Sequence, residues 1–258
     1  MLTDLFDTHA HYGDPAFAED RAAVVGALPE AGIVGAISVS ASMEDSRAAE
    51  VLCRPWSYLY HTVGVHPSEL CDLTPDALDE LKALSAAPGC VAIGEIGLDY
   101  HYEPETAEAQ KAWFRAQMEL AREVKLPVIV HEREACGDCM AILREFPEVR
   151  CVVHCFSGSP ETAKELLRMG HNVSFTGVLT FKNARRAPEV LRMLPDDRWM
   201  LETDSPYMCP EPCRGRRNDS RYLPYIAAKA AEILGEDAQT VAHRTTENAK
   251  AFFGIRDF

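Results

Sequence analysis

The sequence has little positive charge and no long apolar run. Lysine and arginine together number 26 against 40 aspartates and glutamates, giving a formal net charge of -14. A chain this acidic has no global positive field to attract nucleic acid or an anionic membrane, so a polyanionic substrate must be held locally. No apolar run approaches a membrane-spanning length, and the N-terminus lacks the basic and apolar regions of a secretory signal. We therefore expect no membrane association.

The sequence also lacks the cysteine spacing of a disulfide-stapled secreted protein. Its nine cysteines are an odd number without tight clustering, which is typical of reduced thiols. Cys136 and Cys139 have the spacing of a redox or zinc pair, but no second pair is nearby, and we interpret them as packed thiols. Cysteine usage therefore predicts a cytoplasmic protein.

Short apolar runs rich in β-branched residues alternate with segments of helical periodicity. The predicted strands are residues 5–8, 36–40, 60–65, 91–95, 128–130, 152–155, 173–175 and 199–203, and predicted helices include 44–53, 75–85, 106–124, 135–146 and 160–169. This alternation indicates parallel strands joined by crossover helices, and eight repeats close naturally into a barrel. We predict an α/β protein with a (β/α)8 TIM-like barrel, as a single domain over residues 1–258.

A doubly wound sheet is the alternative fold. It would usually carry a glycine-rich phosphate loop after its first strand, whereas this chain has His9-Ala10-His11-Tyr12-Gly13 there. The only long irregular stretch is 205–219, which follows the eighth strand and is rich in proline, cysteine and arginine. In a barrel this stretch lies on the face where active sites are built.

Potential metal ligands stand at the carboxyl ends of five predicted strands. His9 and His11 follow the first strand on one face, because strand side chains alternate. The others are Glu95, His131, His154 and Asp204, at the ends of the fourth, fifth, sixth and eighth strands. A histidine at a strand end is by itself more often structural. Convergence on the one face that forms barrel active sites nevertheless predicts a metal centre.

Six ligands exceed the three or four that one catalytic zinc takes from protein, which predicts two divalent ions sharing a carboxylate. Glu95 is the natural bridge between them. The imidazole-rich set favours Zn or Mn over Mg on ligand softness, and metal identity among the three stays open. Asp7 and Glu202 each lie two residues before a ligand, where they either accept the second N–H of a ligating histidine or are simply buried hydrogen-bonded carboxylates.

The sequence resembles the TatD family of metal-dependent hydrolases, a branch of the amidohydrolase superfamily. The resemblance rests on D-T-H-A-H at 7–11, G-V-H-P at 64–67, G-E-I-G-L-D-Y at 94–100, H-C-F-S-G at 154–158, F-K-N-A at 181–184, L-E-T-D-S-P-Y at 201–207, R-G-R-R-N at 214–218 and T-E-N-A at 246–249. It implies a TIM-like barrel in which one ion is bound by His9, His11 and Asp204, the second by His131 and His154, and both by Glu95. It also implies a deoxyribonuclease that trims DNA from the 3′ end.

The predicted reaction is hydrolysis of a phosphodiester by a metal-bridging water that loses a proton to Asp204, with Glu95 as the second catalytic residue. Arginines and a lysine cluster after strands seven and eight, where barrels often bind phosphate. The predicted substrate-binding residues are His66, Lys182, Arg214, Arg216, Arg217 and Asn218. Alternatively, the arginines pair with Glu211 and Asp219 in a solvated loop, and His66 only fixes its own loop. Tyr12 and Tyr207 are expected near the mouth, where either could stack on a base.

Two other functions stay open. The same metals could act on a carbonyl carbon, in an amidase, lactonase or deacylase whose substrate is a small molecule or aminoacyl-tRNA, although the arginine-rich loops favour phosphodiesters. A non-enzymatic metal-binding scaffold is disfavoured because Glu95 and Asp204 add catalytic groups. The expected partner is DNA, single-stranded or at a 3′ end, and a monomer is favoured over an oligomer.

Overall fold

A computed structural model describes residues 2–70, 73–74 and 76–256. Its strands form one parallel sheet whose spatial order follows the chain from β1 to β8. The strands are β1 (Leu5–Ala10), β2 (Ile33–Ser38), β3 (Leu59–Val63), β4 (Cys90–Asp99), β5 (Val128–Arg133), β6 (Cys151–Val153), β7 (Asn172–Phe175) and β8 (Trp199–Leu201). This order confirms the predicted barrel, and the doubly wound alternative is wrong.

The described residues form nine α-helices, which lie between the strands and after β8. They are α1 (Arg21–Gly26), α2 (Met43–Cys53), α3 (Asp76–Ser85), α4 (Ala107–Val124), α5 (Cys136–Glu145), α6 (Pro160–Arg168), α7 (Arg186–Leu191), α8 (Leu223–Leu234) and α9 (Ala238–Phe253). Short 3-10 helices span Pro15–Phe17, Pro29–Ala31, Pro67–Glu69, Pro104–Thr106, Gly177–Thr180 and Ser220–Tyr222. The five predicted helices correspond to α2 to α6, with Pro75 outside the described residues. Within these residues, no helix combines the length and apolarity needed to cross a membrane.

Local sequence signals set several helix ends. The Ser42 hydroxyl accepts a hydrogen bond from the Asp45 backbone N–H at 3.1 Å where α2 begins, and Ser159 caps α6 in the same way ahead of Pro160. Such caps satisfy backbone donors that have no partner within the helix. Gly254 adopts a left-handed conformation with φ 68° at the end of α9, which glycine reaches without steric cost.

The barrel closes between β8 and β1 through the segment that follows β8. The Asp204 backbone N–H donates to the His9 carbonyl at 2.8 Å, and the His11 N–H donates to the Ser205 carbonyl at 2.7 Å. These bonds hold the first residues after β8 against the end of β1. Closure therefore places Asp204 beside the histidine pair.

Helix α9 packs against one end of the barrel. Phe6 of β1 and Met200 of β8, which stand near the amino ends of their strands, share a buried cluster with Phe252 and Phe253 of α9. A second and larger apolar cluster joins the sheet to the surrounding helices. Since α9 covers the amino ends of the strands, a ligand has access to the barrel from their carboxyl ends.

One buried histidine makes the stability of the fold depend on pH. His171, just before β7, is only 1% exposed and accepts a hydrogen bond from the Cys151 backbone N–H. Burial lowers the pKa of His171 from 6.5 to about 4. Between these values the unfolded chain binds more protons than the folded one, so this residue's contribution to stability is present above pH 6.5 and is lost as pH falls toward 4.

We expect His171→Asn to reduce the loss of stability between pH 6.5 and 4, because the amide keeps an acceptor near the Cys151 N–H and does not titrate. One such histidine changes the free energy of unfolding by up to about 1.4 kcal/mol per pH unit. Urea denaturation of both metal-free proteins from pH 7.5 to 4.5 measures the difference. A difference in stability between the two proteins that is the same at every pH would contradict the assignment.

Candidate metal centre

Six polar side chains meet at the carboxyl end of the barrel. Each comes from a strand or from the residues just after it: His9 and His11 from β1, Glu95 from β4, His131 from β5, His154 after β6 and Asp204 after β8. His9 is fully buried, and Glu95, His154 and Asp204 are at most 8% exposed. Buried polar groups in such density need partners other than solvent.

One oxygen of Glu95 faces the β1 histidines. Oε2 lies 3.4 Å from His9 Nε2 and 3.5 Å from His11 Nε2. Asp204 Oδ1 is 3.5 Å from His11 Nε2 and 3.8 Å from His9 Nε2, and the two imidazole nitrogens are 3.1 Å apart. Two nitrogens and one oxygen of Glu95 therefore face one point, and Asp204 approaches the same histidine pair.

The other oxygen of Glu95 faces a second pair of histidines. Oε1 lies 2.8 Å from His131 Nδ1 and 2.7 Å from His154 Nε2, and these two nitrogens are 3.2 Å apart. The Glu95 carboxylate thus stands between two groups of imidazoles and presents one oxygen to each. This is the arrangement expected of a bridging ligand.

The donor set fits a divalent metal. Ligand atoms around a tetrahedral ion with bonds of about 2.0–2.2 Å lie about 3.3 Å from one another. The separations measured on the two sides of Glu95 run from 2.7 to 3.8 Å. Neutral imidazoles and carboxylates are also ligand types that transition metals favour. Both groups of donors have the chemistry and the spacing to hold such an ion.

The two central carboxylates ionise easily despite their burial. Burial alone would raise the pKa of Glu95, but the interaction with His154 and the other surrounding histidines outweighs it and holds that pKa well below its usual range. Burial would also raise the pKa of Asp204. The hydrogen bond from His11 and the interaction with the neighbouring histidines outweigh burial, so the pKa of Asp204 is lowered. Both groups are therefore anions at neutral pH.

Further groups orient the histidines through their second ring nitrogens. Asp99 Oδ2 is 3.1 Å from His131 Nε2, and Val39 accepts from His11 Nδ1 through its carbonyl at 3.0 Å. Glu202 Oε1 lies 3.4 Å from His154 Nδ1. Partners of this kind fix ring orientation and tautomer. Asp99 was missed from the sequence because the fourth strand was predicted to end at residue 95, whereas β4 continues to Asp99.

The prediction that Asp7 could accept the second ring N–H of a ligating histidine is wrong, and the alternative of a buried hydrogen-bonded carboxylate is confirmed. Asp7 accepts hydrogen bonds from the Thr203 backbone and hydroxyl and from the Ser220 hydroxyl. The pairing of β1 with β2 is irregular between Asp7 and Ala10, so strict alternation does not relate Asp7 to His9. Burial raises the pKa of Asp7 to about 7. Asp7 ties β1 to the segments after β8.

The predicted substrate-binding residues divide into two groups. His66 Nε2 lies 3.8 Å from Glu95 Oε1 at the mouth of the barrel, and three further side chains are exposed on loops: Lys182, Arg214 and Arg216. Arg217 instead pairs with Asp20 at 2.6 Å. Asn218 is fully buried and donates to the carbonyls of Thr203 and Tyr207. In the structure, Arg217 and Asn218 therefore make intramolecular contacts.

Only one of the two tyrosines expected at the mouth is accessible. Tyr12 is fully buried, with its hydroxyl 2.6 Å from the Ser220 hydroxyl, so the expectation that it could stack on a base is wrong. Tyr207 is 54% exposed, and its ring lies edge-on to His11 with 6.3 Å between centroids. An aromatic surface therefore borders the centre on the β8 side.

The family model described as TatD related DNase matches residues 6–254. The chain belongs to the TatD family. The uncharacterized metal-dependent hydrolase YabD of Bacillus subtilis (strain 168) is 39% identical to this TatD-family chain over 253 residues, covering 97% of this chain and 99% of YabD. The 3'-5' ssDNA/RNA exonuclease TatD of Enterobacter lignolyticus (strain SCF1) is 35% identical over 258 residues, covering 97% and 99% of the two chains.

A solved structure agrees with this assignment. The crystal structure of YJJV, a TatD homolog from Escherichia coli K12, matches with a TM-score of 0.92 at 28% identity and covers 99% of this chain and 100% of that one. The resemblance inferred from the eight sequence segments is confirmed, and so is membership of a family of metal-dependent hydrolases.

Proposed function

We propose that this TatD-family protein is a metal-dependent phosphodiesterase that shortens single-stranded DNA from its 3′ end. The main support for the proposal is the position of the Glu95 carboxylate, whose two oxygens each face a separate pair of histidines. Paired metal sites of this type suit in-line displacement at phosphorus. The relatives named 3'-5' ssDNA/RNA exonuclease support this substrate class.

In this proposal the residues hold two divalent ions, Zn, Mn or Mg. His9, His11 and Asp204 would hold the first, His131 and His154 the second, and Glu95 both. When bound, such ions lower the pKa of a water molecule and polarise a phosphate oxygen. Imidazole makes up most of the donor set, which supports Zn or Mn over Mg.

Asp204 accepts the proton of the attacking water in this scheme. Its pKa is lowered, so the carboxylate is ionised and available at neutral pH. Asp204 is 8% exposed and adopts φ 57°, a left-handed conformation uncommon for residues with a side chain. Strained backbone of this kind is concentrated at active sites. Glu95 contributes by fixing the histidines on both of its sides.

His66 is suited to donate a hydrogen bond to the substrate. Burial lowers the pKa of His66 to about 3, so the ring is neutral at physiological pH. Its Nδ1 accepts from the Ser68 backbone N–H at 3.2 Å, which assigns the ring proton to Nε2. That nitrogen faces the mouth near Glu95 Oε1. We infer that it donates to a phosphate oxygen or to the leaving group.

The exposed arginines are proposed to bind phosphates away from the centre. Replacing Arg214 and Arg216 together by glutamine should raise KM for an oligonucleotide and lower its dependence on salt. Each lost phosphate contact to a single strand reduces the slope of log affinity against log salt by about 0.7. Steady-state assays at several salt concentrations give this slope. The same slope in the double variant and the wild type would argue against phosphate contacts.

Arg192→Gln is the matched control for that experiment. Arg192 is also exposed, but it follows α7 and its guanidinium donates to the Pro188 carbonyl on the same helix. We expect its KM and salt slope to equal those of the wild type. A general effect of net charge would instead change KM and the salt slope in both variants.

Substrate class is tested by comparing initial rates on a phosphodiester with those on a lactone, an N-acyl amino acid and an aminoacyl-tRNA. Each reaction uses metal-stripped protein resupplied with Mg, Mn or Zn. The proposal expects metal-dependent turnover of the phosphodiester. Turnover of a carbonyl substrate alone would replace the proposal with an amidase, lactonase or deacylase, and binding of metal without turnover would favour a scaffold.

A further inference from the structure

The loop after β4 carries an aromatic ring that the catalytic scheme leaves without a role. Tyr102 is 66% exposed, the highest value among the large apolar side chains of the described residues. We infer that Tyr102 and Arg133 together bind one nucleotide of the substrate strand, with the base on the Tyr102 ring and a phosphate on Arg133. This inference rests on the proposed nuclease function and deepens it.

Asp99 fixes this loop to the metal centre. Its Oδ2 is 3.1 Å from His131 Nε2, while its Oδ1 accepts from the backbone N–H groups of His101 at 2.8 Å and Tyr102 at 3.2 Å. One buried carboxylate thus orients a predicted metal ligand and anchors the backbone that carries the ring. The position of Tyr102 relative to the reacting phosphate is therefore set by the same residue that positions His131.

Arg133 supplies a positive charge at the same place. It stands two residues after His131 on β5, on the same side of the strand, and its guanidinium carbon lies 4.6 Å from the Tyr102 ring centroid. Stacked in this way, the guanidinium keeps its N–H donors free to bind phosphate oxygens in its own plane.

The carboxylates beside Arg133 already have partners. Glu134 pairs with His101 at 2.8 Å, and Glu132 accepts from the Ala135 backbone N–H at 2.9 Å. Asp99 is occupied by His131 and the loop backbone. Among the described residues, none of these carboxylates or any other forms an ion pair with Arg133. Its charge is available to an anionic ligand.

Tyr102 and Tyr207 border the metal centre on different sides. Tyr207 follows β8 next to His11, whereas Tyr102 follows β4 next to Asp99 and His131. A row of contacts connects the two through His11, Glu95, His131 and Asp99. A single strand lying across this row would have its reacting phosphate at the ions that Glu95 would hold, and a base on the side of Tyr102. Stacking on aromatic rings is how proteins hold single strands with little regard for sequence.

A double-mutant cycle between protein ring and DNA base tests the inference. Single-stranded oligonucleotides carry a tetrahydrofuran abasic residue in place of one base at each of the three 3′-most positions in turn. In the wild type, removal of the base that stacks on Tyr102 should raise KM, by about five- to a hundredfold. With Tyr102→Ala, KM for the intact oligonucleotide should already be raised by that factor. Removal of the same base should then cause no further increase in KM.

Four further variants identify the cause of the effect. Tyr102→Phe keeps the ring and should restore the wild-type KM. Tyr225→Ala removes an exposed tyrosine of α8 that contacts Tyr222, and it should show the wild-type response to base removal. Arg133→Gln should lower the salt slope by about 0.7, while Arg133→Lys should retain it.

A fluorescent base gives a second, spectroscopic readout of stacking. 2-Aminopurine placed at the coupled position should be quenched when the oligonucleotide binds the wild type, and quenched equally by Tyr102→Phe. If the wild type cuts the intact oligonucleotide but no position shows coupling or quenching, the subsite is wrong and the nuclease proposal survives. If the wild type neither binds nor cuts the oligonucleotide, both are wrong.

Discussion

Asp204→Asn is expected to lower kcat for a phosphodiester by about 100- to 10,000-fold, the usual contribution of a positioned proton acceptor. Asparagine has the same shape and tolerates the left-handed backbone found at this position, so the fold should persist. It keeps an oxygen near His11 but cannot take up a proton at neutral pH. Steady-state kinetics with saturating metal, together with thermal unfolding and measured metal content, separate loss of catalysis from loss of structure.

The matched control is Asp197→Asn. Asp197 lies before β8, where its side chain is 73% exposed and faces Arg198 at 3.7 Å. This variant should turn over substrate at the wild-type rate. If Asp204→Asn bound metal normally and retained most of its activity, Asp204 could not be the proton acceptor.

Glu95→Gln should have the second large effect, on metal binding. The substitution removes the charge that both histidine pairs face and leaves one carbonyl oxygen where two carboxylate oxygens had been. We expect the variant to hold fewer than two ions and to lose more affinity than the about 10- to 100-fold that follows loss of an outer hydrogen-bonding partner. Titration calorimetry and elemental analysis measure affinity and stoichiometry.

Asp99→Asn is the comparison variant, for which we expect a smaller loss of metal affinity. Asp99 contacts His131 and not the point where the donor atoms converge, so its loss should reduce affinity within that smaller range. Glu119→Gln, which replaces an exposed carboxylate on α4, should bind metal as the wild type does. Equal affinities of Glu95→Gln and Asp99→Asn would show that Glu95 is not a shared ligand.

Much of the barrel was predictable because its strands are short apolar runs and its helices have clear periodicity. The end of β4 was not, because the apolar run that predicted the strand was taken to stop at residue 95, two residues before Gly97. In the structure, a Cβ on Gly97 would lie 2.0 Å from the His131 carbonyl oxygen. The glycine therefore marks a close approach of β4 to β5 within the sheet, and the strand runs on to Asp99.

Other features depend on contacts between distant parts of the chain. Arg217 pairs with Asp20, which is 197 residues away, and no local pattern distinguishes it from Arg214 and Arg216 of the same loop. Asp7 departs from simple alternation because the register of β1 and β2 is irregular. Strand ends could place six polar side chains on one face, but only tertiary structure shows that each Glu95 oxygen faces its own histidine pair.

The most direct test of the proposed function follows single-stranded DNA on a denaturing gel. Metal-stripped wild-type protein receives Mg, Mn or Zn and acts on strands labelled at the 5′ end or at the 3′ end. We expect metal-dependent cleavage that shortens the 5′-labelled strand one nucleotide at a time and releases the 3′ label as a mononucleotide from the outset. Intact DNA under every metal, from protein whose metal content is verified, would contradict the proposed nuclease.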